Sequence, residues 1–104
     1  MAENEKYNGY NNYETWLVAL WIDNDQYYQE MVHEIAGEYQ EDDDTNQCAS
    51  ALKSFVEEMP DVSKVIETGG MVADLVNSTL SDVDWYELAE MYIKEVKEES
   101  GDGE

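Results

Sequence analysis

The sequence predicts an all-α protein, a compact bundle of four to five short helices with a buried apolar first helix. Apolar residues recur at helical spacing in several segments, and short polar side chains that cap helices precede them. No segment alternates with the two-residue period of a strand. The 104 residues are 42% hydrophobic and 12% aromatic, which is enough for one core and argues against the disorder typical of very acidic chains.

The first helix is predicted over residues 13–22, after a polar N-terminal arm of residues 1–12. Asn11 or Asn12 is placed to cap it, because a short side-chain oxygen accepts a hydrogen bond from an amide of the first turn. Residues 15–22 are apolar on every face of a helix, so this helix is expected to be buried on most sides. A short apolar run also fits a buried strand, and helix is favoured because cap signals flank the run.

The second and third helices are predicted from two apolar stripes. Residues 23–25 (Asp-Asn-Asp) end the first run and supply the cap of the second helix. Asp44 or Thr45 caps the third helix, and Pro60 ends it. The stripes consist of Tyr28, Met31, Val32, Ile35 and Tyr39, followed by Cys48, Ala51, Leu52, Phe55, Val56 and Met59.

The second half of the chain predicts a short helix over residues 61–68, a break at residues 69–70 (Gly-Gly), and two further helices. Residues 81–84 (Ser-Asp-Val-Asp) resemble a capping box with Asp in place of Glu. The helical domain is expected to cover residues 13–98 and a disordered acidic tail residues 99–104. Predicted inward positions are Val62, Val65 and Ile66, then Met71, Val72, Leu75 and Val76, then Trp85, Leu88, Ala89, Tyr92, Ile93 and Val96. The aromatic residues expected in the core, rather than on a binding surface, are Trp16, Trp21, Tyr28, Trp85 and Tyr92.

The charge is extreme for a domain of this size. Twenty-six carboxylates face five lysines and no arginine, which gives a formal net charge of −21. Solubility requires a magnitude of only about 2–8 in a small domain, and a larger charge weakens the compact state by self-repulsion. The excess predicts a strongly basic partner surface and disfavours direct nucleic-acid binding.

Residues that carry chemistry are few. His33, the only histidine, follows a glutamate at the spacing of di-iron helix bundles, but such sites need a second motif of the same kind. An EF-hand loop counted from Asp42 would place Gln47 and Lys53 at the sixth and twelfth positions, which require Gly and Glu, and a start at Asp44 fits no better. Cys48 lies on an apolar stripe and is expected to be a buried, inert thiol. The sequence therefore predicts no enzyme, no metal and no cofactor, with His33 exposed.

The expected location is the cytoplasm. A single cysteine excludes an intrachain disulfide, the N-terminus lacks the basic and apolar regions of a secretion signal, and no apolar run approaches the roughly 20 residues that span a bilayer. The negative charge also opposes binding to anionic membranes.

Acidic side chains form two predicted rows on the outer faces of the second and last helices. Residues three or four apart on a helix lie about 5–6 Å from each other, so each row is a line of like charge. A DNA duplex also presents lines of negative charge, about one per 1.7 Å of axis over both strands. The two acidic rows are either ordinary solvated helix faces or binding surfaces whose carboxylates take the place of DNA phosphates. The net charge of −21 and the absence of arginine favour phosphate mimicry. The predicted partner-binding residues are Glu30, Glu34, Glu38, Glu41, Asp42, Asp43, Asp44, Asp84, Glu87, Glu90, Glu95 and Glu98.

Two segments carry a resemblance. Residues 7–24, which contain Asn-Tyr-Glu-Thr-Trp at 12–16, resemble the opening of a family of small phage- and plasmid-borne proteins. Residues 80–89, Leu-Ser-Asp-Val-Asp-Trp-Tyr-Glu-Leu-Ala, resemble the C-terminal helix of the same family. The resemblance covers most of the chain and implies a mobile-element origin without an established activity. In size, charge and acidic last helix the chain is also similar to the helical DNA-mimic anti-restriction protein of lytic phages, a likeness of composition that transfers no residue role.

These patterns predict a DNA-mimic anti-defence protein that occupies the nucleic-acid groove of a host restriction, CRISPR-type or related DNA-binding enzyme. The alternative is an acidic helical adaptor that binds one host or phage protein through an apolar or aromatic patch. A complex formed by mimicry weakens with added salt, whereas a patch complex tolerates it. An apolar face left over on the first or last helix is a candidate two-fold interface for a homodimer.

Overall fold

Six α-helices make up the fold in the computed structural model, which describes residues 7–41 and 44–100. The all-α prediction is confirmed, with six helices in place of four to five. Within the described residues the only β-type pairing is an isolated bridge between Tyr7 and Tyr10. The helices are α1 (Tyr13–Asp23), α2 (Gln26–Tyr39), α3 (Thr45–Glu57), α4 (Pro60–Thr68), α5 (Gly70–Asp82) and α6 (Trp85–Ser100).

Side-chain caps begin four of these helices. Asn12 accepts a hydrogen bond from the Thr15 amide, and Asp25 and Asp44 do the same at the starts of α2 and α3. Each was among the predicted caps, because capping depends on residues only two or three positions apart. At α6, Asp84 Oδ1 accepts from the Glu87 amide at 3.0 Å. The capping box predicted from Ser81 is therefore wrong: Asp84 is the cap, and residue 81 still belongs to α5.

Helix α6 lies at the centre of the core and packs on α2 and α3. Its predicted apolar stripe is confirmed at Leu88, Ala89, Tyr92 and Ile93, which are buried. These side chains meet the stripes of α2 and α3 and one side of α1, and the helices enclose a single apolar cluster. The other buried members of that cluster are Ala19, Ile22, Val32, Ala36, Cys48, Leu52, Val56, Leu80 and Val83.

Helix α1 is buried on one side only. Thr15, Ala19 and Ile22 face the core, whereas Trp21 is 67% exposed and Leu20 is 36% exposed. The prediction that the first helix is buried on most sides, with Trp21 inward, is wrong. Either side of a helix that is apolar all round can pack against a core. In this fold one side of α1 packs against α2, α5 and α6, and the other side stays exposed.

Helix α5 also turns the predicted inward face to solvent. Ala73 and Leu80 are buried, whereas Met71, Val72 and Leu75 are 76%, 54% and 59% exposed. The helix packs chiefly on α4, the other arm of its hairpin, and on α1. Those contacts cover the side that carries Ala73 and Leu80, so three large apolar side chains predicted inward lie outside.

Part of the N-terminal arm is ordered against α1. Asn8 and Gly9 both have positive φ (51° and 92°), as a type I′ turn requires, and Asn-Gly is the preferred pair for that turn. Tyr7 and Tyr10 exchange two backbone hydrogen bonds across it, at 2.7 and 2.8 Å. The Tyr7 ring centroid lies 5.0 Å from that of Trp16, so this part of the arm folds back over α1.

Candidate functional site

Helix α2 carries an uninterrupted row of exposed acids. Glu30, Glu34, Glu38 and Glu41 are all exposed, while Val32 on another face of the helix is fully buried in the core. The chain has no lysine or arginine between residues 7 and 52. The predicted row on this helix is therefore accessible and has no basic neighbour in the sequence that forms α1 and α2.

The carboxylates of this row are about twice as far apart along the helix axis as the phosphates of one DNA strand. Residues four apart on a helix are about 6 Å apart along its axis, since each residue rises 1.5 Å. One DNA strand advances about 3.4 Å per phosphate. The row Glu30, Glu34 and Glu38 thus offers roughly one negative charge for every two phosphates of a strand.

The predicted row on α6 is interrupted. Glu90 and Glu98 are exposed, but Lys94 and Lys97 are exposed on the same helix between them. Lys94 is four residues from each of these glutamates, a spacing at which opposite charges attract. The outer face of α6 therefore has mixed charge, and α2 is the helix that keeps an unmixed acidic face.

Asp84, the cap of α6, and Glu87, in its first turn, form hydrogen bonds within the chain. Asn11 donates two hydrogen bonds to them, from its amide to Glu87 Oε1 at 3.0 Å and from Nδ2 to Asp84 Oδ2. Asn12 Nδ2 donates to the carbonyl oxygen of Asp82 at 2.7 Å. Asp84 and Glu87 are half-buried in this joint between the start of α1 and the α5–α6 corner. The structure therefore assigns them an intramolecular role that the predicted site did not include.

Thr15 completes the joint. It is the one buried polar residue of the described chain, and its Oγ1 accepts a hydrogen bond from the Asp84 amide at 2.8 Å while donating to Asn12 Oδ1. The two segments that carried the resemblance, residues 7–24 and 80–89, are thus the two sides of one hydrogen-bonded joint. Within these segments, Asn11, Asn12 and Thr15 on one side form hydrogen bonds with Asp82, Asp84 and Glu87 on the other.

Glu95 and His33 form a pair between α6 and α2. His33 Nε2 lies 3.0 Å from Glu95 Oε1, and the histidine is half-buried, so the prediction of an exposed His33 is wrong. Burial and the neighbouring Glu95 raise the pKa of the Asp23 carboxyl above its usual value. Burial, with the charge of Asp23, also raises the pKa of Tyr92. Among the described residues no group of three or more histidine, cysteine or acidic side chains is arranged to hold a metal ion.

The acidic run after α2 is divided. Glu41 is exposed, whereas Asp44 is half-buried and accepts a hydrogen bond from the Gln47 amide at 3.2 Å as the cap of α3. Asp42 and Asp43, which belong to the predicted site, lie outside the described residues. Glu30, Glu34, Glu38 and Glu41 therefore form the exposed acidic row of the site, and the other exposed members, Glu90 and Glu98, lie beside Lys94 on α6.

Cys48 is buried in the core, as predicted. Burial, and secondarily the charge of Asp44, raises the pKa of its thiol to about 11. A nucleophilic cysteine needs the thiolate, so this thiol is unsuited to catalysis near neutral pH.

A second surface feature, which the sequence placed in the core, is apolar. A groove of about 260 Å³ is lined by residues of α1 to α5 and of the link between α3 and α4, with Leu17, Trp21, Met59, Val62 and Leu80 among them. Beside it, the exposed residues of α5 surround a shallow hollow that shares Leu80 with the groove. The only sequence signal for this face was an apolar helix with no polar side.

The fold and the surface define a small, strongly acidic, all-helical protein. No helix in the described part of the chain has the length and apolar character needed to cross a membrane. The chain belongs to a protein family of unknown function, DUF7249, whose family model matches residues 3–102. The prediction of an uncharacterised family that covers most of the chain is thereby confirmed. Searches of curated proteins and of solved structures find no match.

Proposed function

We propose that this protein is a non-enzymatic, DNA-mimic anti-defence protein of a mobile element. Its partner is a host DNA-binding enzyme, of the restriction, CRISPR-type or related kind, and it occupies the enzyme's basic groove in the host cytoplasm. The observation that carries the proposal is the exposed row Glu30, Glu34, Glu38 and Glu41, which has no lysine or arginine within α1 or α2.

The energetics of such a complex follow those of DNA binding. Lysines and arginines that hold phosphates contribute most of the non-specific affinity for DNA, and that contribution falls with added salt. Carboxylates on α2 meet the same side chains at about half the charge density of a strand. We expect the complex to be salt-sensitive, with a shallower dependence on salt than the same enzyme shows for duplex DNA.

The first test is capture from host lysate at low salt, followed by elution with a salt gradient or with duplex DNA. DNA-binding enzymes in both eluates support the proposal. The decisive variant carries Glu30→Gln, Glu34→Gln and Glu38→Gln. Its matched control carries Glu58→Gln, Glu67→Gln and Asp74→Asn, three exposed acids outside α2 that change the net charge equally.

The α2 variant should lose at least tenfold in affinity for the captured enzyme, and the control should stay within about threefold of wild type. Equal losses in the two variants would mean that only the net charge matters. No loss in either variant would exclude mimicry by α2.

The adaptor function remains the second candidate, favoured by the exposed side chains of Leu20 and Trp21. It predicts a captured protein that stays bound in high salt and excess DNA, and that is lost on Trp21→Ala.

A further inference from the structure

We propose that the exposed faces of α1 and α5 form a two-fold interface between two copies of this chain. The interface would consist of Leu20 and Trp21 from α1 and Met71, Val72 and Leu75 from α5. The DNA-mimic function does not use this surface, so the inference stands or falls independently of it, whereas the adaptor function would compete with the dimer for Leu20 and Trp21.

The shape of the face supports pairing with itself. The groove beside Trp21 is about 260 Å³, which is below the roughly 300–1,000 Å³ of pockets that hold small molecules but is enough for inserted side chains. Leu75 lines a shallow hollow that shares Leu80 with that groove, and Met71, one helical turn before Leu75 on α5, is also exposed. In a two-fold dimer each contact occurs twice, so a surface that carries both a groove and projecting side chains can match itself. We place Met71 and Leu75 of each copy in the groove of the other.

The area is sufficient for a stable dimer. A fully exposed large side chain presents about 150–250 Å², so the five exposed side chains leave roughly 600 Å² of apolar surface accessible on each copy. A standard interface buries about 800 Å² per partner, of which about 65% is apolar in homodimers. The summed exposed area of these five side chains is therefore comparable with the apolar part of a standard homodimer interface.

The charge distribution lets two acidic copies meet at this face. Helices α1 and α5 contain four acids in 24 residues, against 26 in 104 for the whole chain, and Asp61 of α4 is the one acid among the groove's lining residues. Tyr28 of α2 lines the groove, whereas Glu30 and Glu34 lie two and six residues further on, on the solvent face of that helix. A dimer through the groove therefore keeps the acidic row of each copy exposed.

Each copy carries a net charge of −21, so two copies repel each other, and this repulsion predicts how the dimer responds to salt. Added salt screens that repulsion, so the dimer should become tighter as salt increases. A complex held by acid–base contacts responds in the opposite direction, which separates the failure of this inference from the failure of the proposed function.

The test is sedimentation velocity of the full chain from 5 to 200 μM in 50 mM and 500 mM NaCl. We expect a species of twice the 12.0 kDa chain mass, with a dissociation constant at least threefold lower in 500 mM NaCl. Leu75→Glu should raise the dissociation constant at least tenfold. Asn77→Glu, which adds the same charge at another exposed position of α5, should raise it less than threefold.

Circular dichroism checks that both variants keep the helix content of the wild type. Trp21→Ala is a second substitution in the proposed interface, and it removes apolar surface without adding charge. A monomer at all concentrations in both salts would overturn the inference. So would a dimer that survives both Leu75→Glu and Trp21→Ala, or one that Asn77→Glu weakens as much as Leu75→Glu.

Discussion

Thr15 shows how a single buried hydroxyl holds distant parts of the chain together. Its Oγ1 links the cap of α1, at Asn12, to the amide of Asp84 at the start of α6. Both hydrogen-bonding capacities of the hydroxyl are used, so the fully buried side chain leaves no polar group unsatisfied. The joint therefore ties the start of α1 to the start of α6.

Thr15→Val should destabilise the fold by about 1–3 kcal/mol, because it keeps the shape of the side chain but leaves the Asp84 amide without its acceptor. Thermal unfolding followed by circular dichroism should show a midpoint lower by about 4 °C or more. Thr15→Ser is the matched control, since it keeps the hydroxyl and removes only a methyl group. If Ser were as damaging as Val, the methyl packing and not the hydrogen bonds would stabilise the joint.

The sequence allowed half of this joint to be predicted. Asn12 was recognised as a candidate cap because its acceptor and the donor at Thr15 are three residues apart. The contacts of Asn11 and Asn12 with Asp82, Asp84 and Glu87 span 70 to 76 residues. Nothing in a local pattern identifies such a partner, so Asp84 and Glu87 were predicted as surface acids.

Helix α2 has a buried apolar face that stabilises it and an exposed acidic face whose like charges repel one another. Val32 and Ala36 are fully buried, while Glu30, Glu34 and Glu38 repeat every four residues on the exposed side. Like charges at this spacing destabilise a helix, and packing of the inner face compensates. The row therefore has a cost in stability, which is the expected pattern when side chains are kept for binding.

The triple variant Glu30→Gln, Glu34→Gln and Glu38→Gln should be more stable than the wild type. It removes two like-charge pairs, each worth about 0.2–0.5 kcal/mol in low salt, and glutamine has a helix propensity close to that of glutamate. We expect a gain of roughly 0.4–1 kcal/mol from urea unfolding in 10 mM NaCl, and a smaller gain in 500 mM NaCl. A variant less stable than the wild type would show that these carboxylates make favourable contacts on the folded chain.

Faces were harder to predict than helices. The stripes of α3 and α6 are one-sided, so Cys48, Leu52 and Leu88 were correctly placed in the core. Helix α5 has apolar residues on two sides, and only the position of its neighbours α1 and α4 decides that Ala73 and Leu80 are the buried ones. Periodicity indicates that a helix has an inner face, but it does not identify that face when both sides qualify.

For the whole molecule the decisive quantity is the charge of −21. A folded chain holds these charges closer together than an unfolded one, so self-repulsion destabilises the compact state. The core offsets this cost with one contiguous apolar cluster that draws on α1, α2, α3, α5 and α6. The molecule is therefore expected to be less stable in dilute buffer than its core would suggest.

Added salt should accordingly stabilise the fold. The Debye length falls from about 30 Å at 0.01 M to about 10 Å at 0.1 M, which screens most repulsion between exposed carboxylates on different helices. We expect the thermal midpoint to rise by about 5 °C or more between 10 mM and 500 mM NaCl, equivalent to roughly 1 kcal/mol. Measurement at 2 μM and 50 μM protein separates this effect from salt-promoted association, since stabilisation by association grows with protein concentration. The α2 triple variant, with three charges fewer, should gain less from salt.

A thermal midpoint that is unchanged or falls with NaCl at both protein concentrations would mean that repulsion between the carboxylates does not destabilise the fold. The excess charge would then have no cost in stability, and the stability argument for a basic partner would be lost.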